Sequence, residues 1–276
     1  MNRCCLLLLL TLLSVGCTEQ IPTVRYRQYQ IQTRFTIVAD TISIYVKNSL
    51  KCPLRVGARS ENNPTEKVLQ AYFPMLLDPL QDTSLWIIAD TSQTFDTNVH
   101  IRFPSVFGDP DREIELVPLS LPFPEGKSYS IIQGYNGSYS HQGTYSRYAL
   151  DFDTRIGDTI CAADKGVAVG VIEGYKEWGD NRKWRDFANY ITLYHPHSGL
   201  FTQYVHLDFE GSLVAVGDSV KMGQPIGISG KTGWSSVEHL HFNSIVPKEK
   251  EFHSVPIEFL EGYKGSALKR KDRVKK

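Results

Sequence analysis

His239 and His241 stand two apart in the segment Glu238-His239-Leu240-His241-Phe242. On a β-strand, residues i and i+2 face one side. The two imidazoles therefore point together while Leu240 and Phe242 face a core. That arrangement suits one metal ligand beside one proton-transfer group. The chain has eight histidines, six of them between positions 141 and 241, so these two have company. Upstream lie Ser140-His141-Gln142-Gly143 and Arg147-Tyr148-Ala149-Leu150-Asp151-Phe152, and between them and the pair lies Gln203-Tyr204-Val205-His206-Leu207. A strand through Ala149-Leu150-Asp151-Phe152 turns Asp151 away from Leu150 and Phe152. Two histidines and one aspartate make an N/N/O set that zinc accepts, with the fourth tetrahedral place left to water. A further imidazole, with an ordinary pKa near about 6.5, can take and return a proton around neutrality. His195-Pro196-His197 is a second His-x-His pair, but its proline and the following Ser198-Gly199 read as a solvent-facing turn.

Several ordered phrases accompany this set. They include Tyr148-Ala149-Leu150-Asp151-Phe152, Gly157-Asp158-Thr159, Ala162-Ala163-Asp164-Lys165-Gly166-Val167-Ala168, Asn189-Tyr190-Ile191 and Tyr204-Val205-His206-Leu207. Val216-Gly217-Asp218, Gln224-Pro225-Ile226-Gly227, Gly230-Lys231-Thr232-Gly233 and His239-Leu240-His241-Phe242 follow. Over about residues 128–245 the chain resembles the M23 family of zinc metallopeptidases, of LytM or lysostaphin type. The resemblance implies His141, Asp151 and His241 as ligands of one zinc ion per chain, and His206 and His239 as the paired catalytic histidines. It implies hydrolysis of peptide bonds in peptidoglycan stem peptides or cross-links, in a groove on an antiparallel sheet. The alternative is a catalytically silent module of the same fold that binds peptidoglycan or activates another cell-wall hydrolase. His141 and Asp151 are ten apart, a longer spacing than the family's commonest form. The extra loop is expected to put Tyr145, Arg147 and Tyr148 at the groove edge, with Tyr204 also in the groove. Glu238 adds a charge beside the histidine pair.

The elements that must carry these groups are strands. Ile42, Ile44 and Val46 alternate with Thr41, Ser43, Tyr45 and Lys47, and Val99, Ile101 and Phe103 alternate with His100 and Arg102. Leu85-Trp86-Ile87-Ile88 is a short apolar run, and Glu61-Asn62-Asn63-Pro64 and Gly108-Asp109-Pro110 read as turns. The expected fold is all-β, with an immunoglobulin-like β-sandwich over residues 24–116 and an antiparallel peptidase domain over 128–260. Between them, residues 117–127 (VPLSLPFPEGK) read as an extended proline-rich linker. Residues 261–276 form a basic tail; from Lys264 it holds seven bases and one acid, and it reads as a solvated end or an electrostatic contact with anionic lipid or cell-wall polymer.

Residues 1–16 place Arg3 before the apolar run Leu6–Leu13, which is too short to span a bilayer. Ser14-Val15-Gly16-Cys17 resembles a bacterial lipobox, which implies cleavage before Cys17, lipidation of its thiol and a tether over 17–23. The expected location is exported and membrane-anchored through Cys17, facing the periplasm or cell envelope. Thr18 favours the outer membrane in a Gram-negative cell. Of five cysteines, Cys52 and Cys161 remain beyond the leader and its anchor, which excludes a disulfide framework. The 276 residues carry 30 basic and 30 acidic side chains, which excludes a nucleic-acid protein held mainly by phosphate contacts. No P-loop or Gly-x-Ser-x-Gly motif occurs.

Overall fold

Strand alternation is visible at once in Thr41–Lys47, where Ile42, Ile44 and Val46 are buried and their neighbours are half-exposed. A computed structural model describes residues 20–88, 95–249 and 251–276. The leader, the lipidation motif at Cys17 and the first residues of the tether lie outside the described residues. The chain is all-β. Thr41–Lys47 pairs antiparallel with Gln32–Val38 and Asp82–Ile88 in one three-stranded sheet. Leu54–Val56, Met75–Leu77 and Ser105–Phe107 make a second. Ile42, Val46, Leu54, Val56, Leu77, Ile87 and Phe107 share one core between these sheets. The segment around Asn62 and Pro64 is not a simple turn but the start of a short helix, Asn63–Leu69. Asn62 caps it by accepting from the Thr65 amide at 3.1 Å, and Pro64 sits in the first turn, where its missing N–H costs nothing.

Among the described residues the larger sheet has eleven strands. Its central path runs Ser219–Val220, Gly166–Ile172, Asn189–Tyr194, Phe201–Ser212, Leu240–Pro247, Leu150–Phe152, Ser128–Gln133 and Arg273–Lys275, all antiparallel. One face buries Leu193, Tyr204, Leu240 and Phe242 in a second core. The other face is divided between two uses. Tyr194, Phe201 and Ile245 pack into the core of the N-terminal sheets, with Phe201 stacked on Phe107 at 6.0 Å. The rest of that face is open and forms a groove.

Two expectations about the connecting segments are corrected. Residues 117–127 are not a free linker, because Leu119, Leu121 and Phe123 are buried in the second core, Phe123 edge-on to Tyr129 and Phe152. Their alternation drives them inward, and the Glu261 carboxylate accepts from the Leu121 amide and the Ser120 hydroxyl. The basic tail is not a solvated end. Arg273–Lys275 pairs with Ser128–Gln133, and Val274 is fully buried. Ser128–Gln133 would otherwise be an unpaired sheet edge, and the basic side chains flanking Val274 alternate outward into water.

Candidate metal centre and groove

Five neighbouring strands set one residue each into a row across the open face. Tyr190 pairs with Val205, Val205 with His241, His241 with Asp151 and Asp151 with Gln133. This row is the groove floor. His141 reaches it from the loop after Gln133, and His206 and His239 stand beside it.

His141 Nε2 lies 3.2 Å from Asp151 Oδ1 and 3.2 Å from His241 Nδ1, and His241 Nδ1 lies 2.9 Å from Asp151 Oδ1. Ligands of a tetrahedral zinc at about 2.0–2.1 Å stand roughly 3.3 Å from one another, so the triangle is of the right size. The donor chemistry agrees. His141 Nδ1–H donates to the Gly134 carbonyl at 2.9 Å, which leaves a lone pair on Nε2 facing the other two ligand atoms. Two imidazole lone pairs and a carboxylate oxygen converging on one point fit a cation. Gln133 Nε2 donates to the second carboxylate oxygen of Asp151 at 3.0 Å and fixes its rotation.

His206 and His239 are oriented in the same manner. His206 Nδ1–H donates to Thr232 O at 2.7 Å, and His239 Nδ1–H donates to Val237 O at 2.8 Å. Each therefore keeps Nε2 as the free nitrogen. Their rings lie 4.5 Å apart, and His239 Nε2 is 3.8 Å from Asp151 Oδ1. His206 occupies the left-handed backbone region at φ 67°, a conformation that a β-strand residue adopts only when its surroundings hold it there.

The electrostatics follow from burial and mutual contact. Burial alone would raise the Asp151 carboxyl, but His141 and His239 outweigh it and hold the group well below the usual carboxylate range. Burial holds His206 well below the ordinary imidazole value, and His239 and His241 add repulsion. Burial likewise lowers His241. Burial would depress His141 too, yet the Asp151 carboxylate and the hydrogen bonds to Asp151 and Gly134 raise it. Asp151 is thus ionised and His206 neutral near pH 7.

The groove encloses about 910 Å³. Tyr145 lines it and donates its hydroxyl to Gln203 Oε1 at 2.6 Å. Three of the expected groove residues are elsewhere. Tyr204 is fully buried on the opposite face, where its hydroxyl accepts from the Ala163 amide. Strand alternation gives the groove to Gln203 and Val205 instead. Tyr148 packs edge-on against Tyr135, and neither it nor Arg147 lines the groove, because the loop turns back after Ser146. Glu238 points away to pair with Arg155 at 2.7 Å. His195 is also corrected: it is fully buried, donates Nδ1–H to Lys165 O and accepts at Nε2 from the Thr202 hydroxyl, while His197 alone faces outward. Sequence reasoning missed Gln133, Tyr26, Arg182, Arg185 and Arg270, all of which line the groove. Gln133 was findable, since it ends an alternating strand directly before the His141 loop.

Residues 145–253 match the model of peptidase family M23. An uncharacterized metalloprotease of Buchnera aphidicola subsp. Baizongia pistaciae is 35% identical over 133 residues, covering 47% of this chain and 32% of that protein. Peptidoglycan DD-endopeptidase ShyB of Vibrio cholerae is 33% identical over 128 residues, 45% of this chain and 27% of its own. Lysostaphin of Staphylococcus simulans is 38% identical over 100 residues, 36% of this chain and 18% of its own. The matched stretch therefore spans about a third or less of the length of these relatives.

Proposed function

We propose, from the match of residues 145–253 to peptidase family M23, that this chain is a zinc-dependent endopeptidase hydrolysing peptide bonds of peptidoglycan. The observation that carries this reading is the triangle of His141 Nε2, Asp151 Oδ1 and His241 Nδ1, with two oriented histidines on its open side. His141, Asp151 and His241 would hold the ion. When bound, it would polarise the peptide carbonyl as a Lewis acid and lower the pKa of water to about 7.

The protein's own groups do the rest. His206 and His239 each present Nε2 to the space beside the triangle. One takes the proton of the attacking water. The other steadies charge on the carbonyl oxygen or returns a proton to the leaving amine. Burial keeps His206 neutral near pH 7 and therefore able to accept a proton. The Asp151 carboxylate, held by Gln133, keeps the histidine cluster in register. The relatives named as endopeptidases support the same reading, as does the presence of all five His and Asp residues, which a silent binding module has no chemical reason to keep. The motif ending at Cys17 supports export and lipid attachment, which would place the groove in the cell envelope within reach of peptidoglycan, at the outer membrane in a Gram-negative cell.

Elemental analysis of the full chain in detergent, beside an Asp151→Ala copy, tests the reading. About one zinc per chain, lost in the variant, with new amine termini released from purified peptidoglycan by the wild type alone, is the expected result. A zinc-loaded protein that releases none would overturn it.

A further inference from the structure

The tail that reads as a solvated basic end is folded against the groove. Lys271 N–H donates to Ile131 O, and Ile131 N–H donates to Asp272 O, each at 2.8 Å, so the strand Ser128–Gln133 grips the chain beside Arg270. Arg270 thereby lines the groove next to Ile132, on the bank beyond Gln133. At the other end of the floor row from Gln133, the 3-10 helix Arg182–Phe187 leads into the strand that carries Tyr190 and buries Trp184 and Phe187. A three-residue repeat turns Arg182 and Arg185 the other way, into the groove. Three arginines from two distant segments thus flank the floor row on both sides.

Their acidic counterparts are already engaged. Asp151 belongs to the ligand triangle, and Asp186 Oδ2 accepts from Arg25 at 2.9 Å. No ion pair among the described residues involves Arg182, Arg185 or Arg270. The positive lining continues into an adjoining pocket of about 750 Å³ that shares Ile132, Val237 and Arg270 with the groove. There Lys231 lies over the Trp178 ring at 3.3 Å and Lys271 adds a second ammonium, while Arg155 and Glu238 neutralise each other and Asp153 is the one remaining acid.

We propose that this groove selects an acidic peptide, with Arg182 and Arg185 on one bank and Arg270 on the other receiving free carboxylates carried on either side of the scissile bond. This rests on the peptidase reading and narrows its substrate class. A planar guanidinium offers a carboxylate two parallel donors, which gives registry along the groove as well as attraction. Placement on two banks fits carboxylates spread along a peptide, where a single phosphate would call for one convergent cluster. An uncharged glycine-rich cross-bridge would leave all three arginines unanswered.

The test compares a purified cross-linked stem-peptide dimer that has its free carboxyl groups with the same dimer after conversion of those groups to carboxamides. The zinc-loaded full chain is used for cleavage, and its His239→Ala form for equilibrium binding. The acidic dimer is expected to bind roughly tenfold tighter than the amidated one, and Arg185→Gln or Arg270→Gln to erase most of that preference. All three arginines are exposed, so these variants should fold. Arg34→Gln, on the N-terminal sheet, controls for net charge and should change nothing. Equal binding of the two dimers, or a preference untouched by both groove variants, would overturn the proposal. Absence of cleavage of either dimer by the wild type would instead sink the peptidase reading, while the binding comparison still decides this one.

Discussion

Tyr26 lies across Gly174 so closely that a Cβ on Gly174 would stand 2.4 Å from the ring Cζ. The Tyr26 amide donates to the Tyr175 hydroxyl at 3.0 Å, and its ring meets Tyr175 edge-on at 4.9 Å. Two residues on, Gln28 O accepts from the Val171 amide at 3.0 Å. Residues 25–28 are therefore seated on the edge of the large sheet, and Tyr26 supplies part of the groove wall. Gly174→Ala is expected to lift Tyr26 from its seat, to cost about 1–3 kcal/mol in denaturant unfolding, and to raise KM more than it lowers kcat. An alanine variant with unchanged stability and KM would show that the wall is unimportant.

Gln133 makes a second test of the centre, one that leaves the three ligand side chains in place. Its amide holds Asp151 from behind, and such supporting hydrogen bonds tune how well a ligand set is preorganised. Gln133→Ala is expected to weaken zinc binding about 10–100-fold while keeping one ion per chain at saturation. Competition with a chromophoric chelator measures this directly. Affinity equal to wild type would mean that the strand pairing alone orients the carboxylate.

His206 and His239 stand beside the ligand triangle and outside it. His206→Ala and His239→Ala should each retain zinc and lose about 10²–10⁴-fold in kcat. The double variant should fall less than the product of the two, because the pair acts on one proton path. Loss of the metal in either single variant would move that residue into the ligand set.

How much of this was legible follows from which signals are local. Alternation in Thr41–Lys47 and the His239–Phe242 pattern are read by counting residues, since the pleat has a period of two. The same rule, applied to Gln203-Tyr204-Val205, would have sent Tyr204 inward and Val205 to the floor. The tail was opaque for a different reason. One valine among bases has too little apolar content to announce a strand; it becomes one because Ser128–Gln133, about 145 residues earlier, needs an edge partner. Residues 117–127 misled through composition, because prolines mark linkers and also suit extended chain that runs through a core. The groove arginines come from segments whose proximity only the folded sheet creates.

The histidine cluster gives the metal-free protein a defined response to acid. Burial, with repulsion from His239 and His241, holds the folded-state pKa of His206 well below its unfolded value of about 6.5. As pH falls below about 6.5, the unfolded chain takes up a proton that the folded chain resists, so stability is lost. Asp151 acts in the same sense lower down: its depressed folded pKa contributes stability that is complete above about pH 3.9 and is lost as pH falls from there through the folded value. His141 acts oppositely, since its raised value contributes stability below about 6.5 that is lost as pH rises through it. The Tm of the metal-free protein should drop between about pH 6.5 and 5, and His206→Gln should flatten that slope. An identical slope in the variant would assign the acid response to other groups.

Val274 decides whether the C-terminal strand is part of the domain. It is fully buried in the second core and pairs with Tyr129 across the sheet edge, while Lys275 beside it faces water. Val274→Ala is expected to cost about 1–3 kcal/mol of stability, because the strand that closes over it cannot collapse onto the smaller side chain. Lys275→Gln should stay within about 0.5 kcal/mol of wild type. The same valine anchors the segment that carries Arg270, so Val274→Ala should also weaken acidic-peptide binding without any change in groove charge. Denaturant unfolding of the two variants separates the cases: equal, near-zero effects would return the tail to solvent and leave Arg270 without a fixed position.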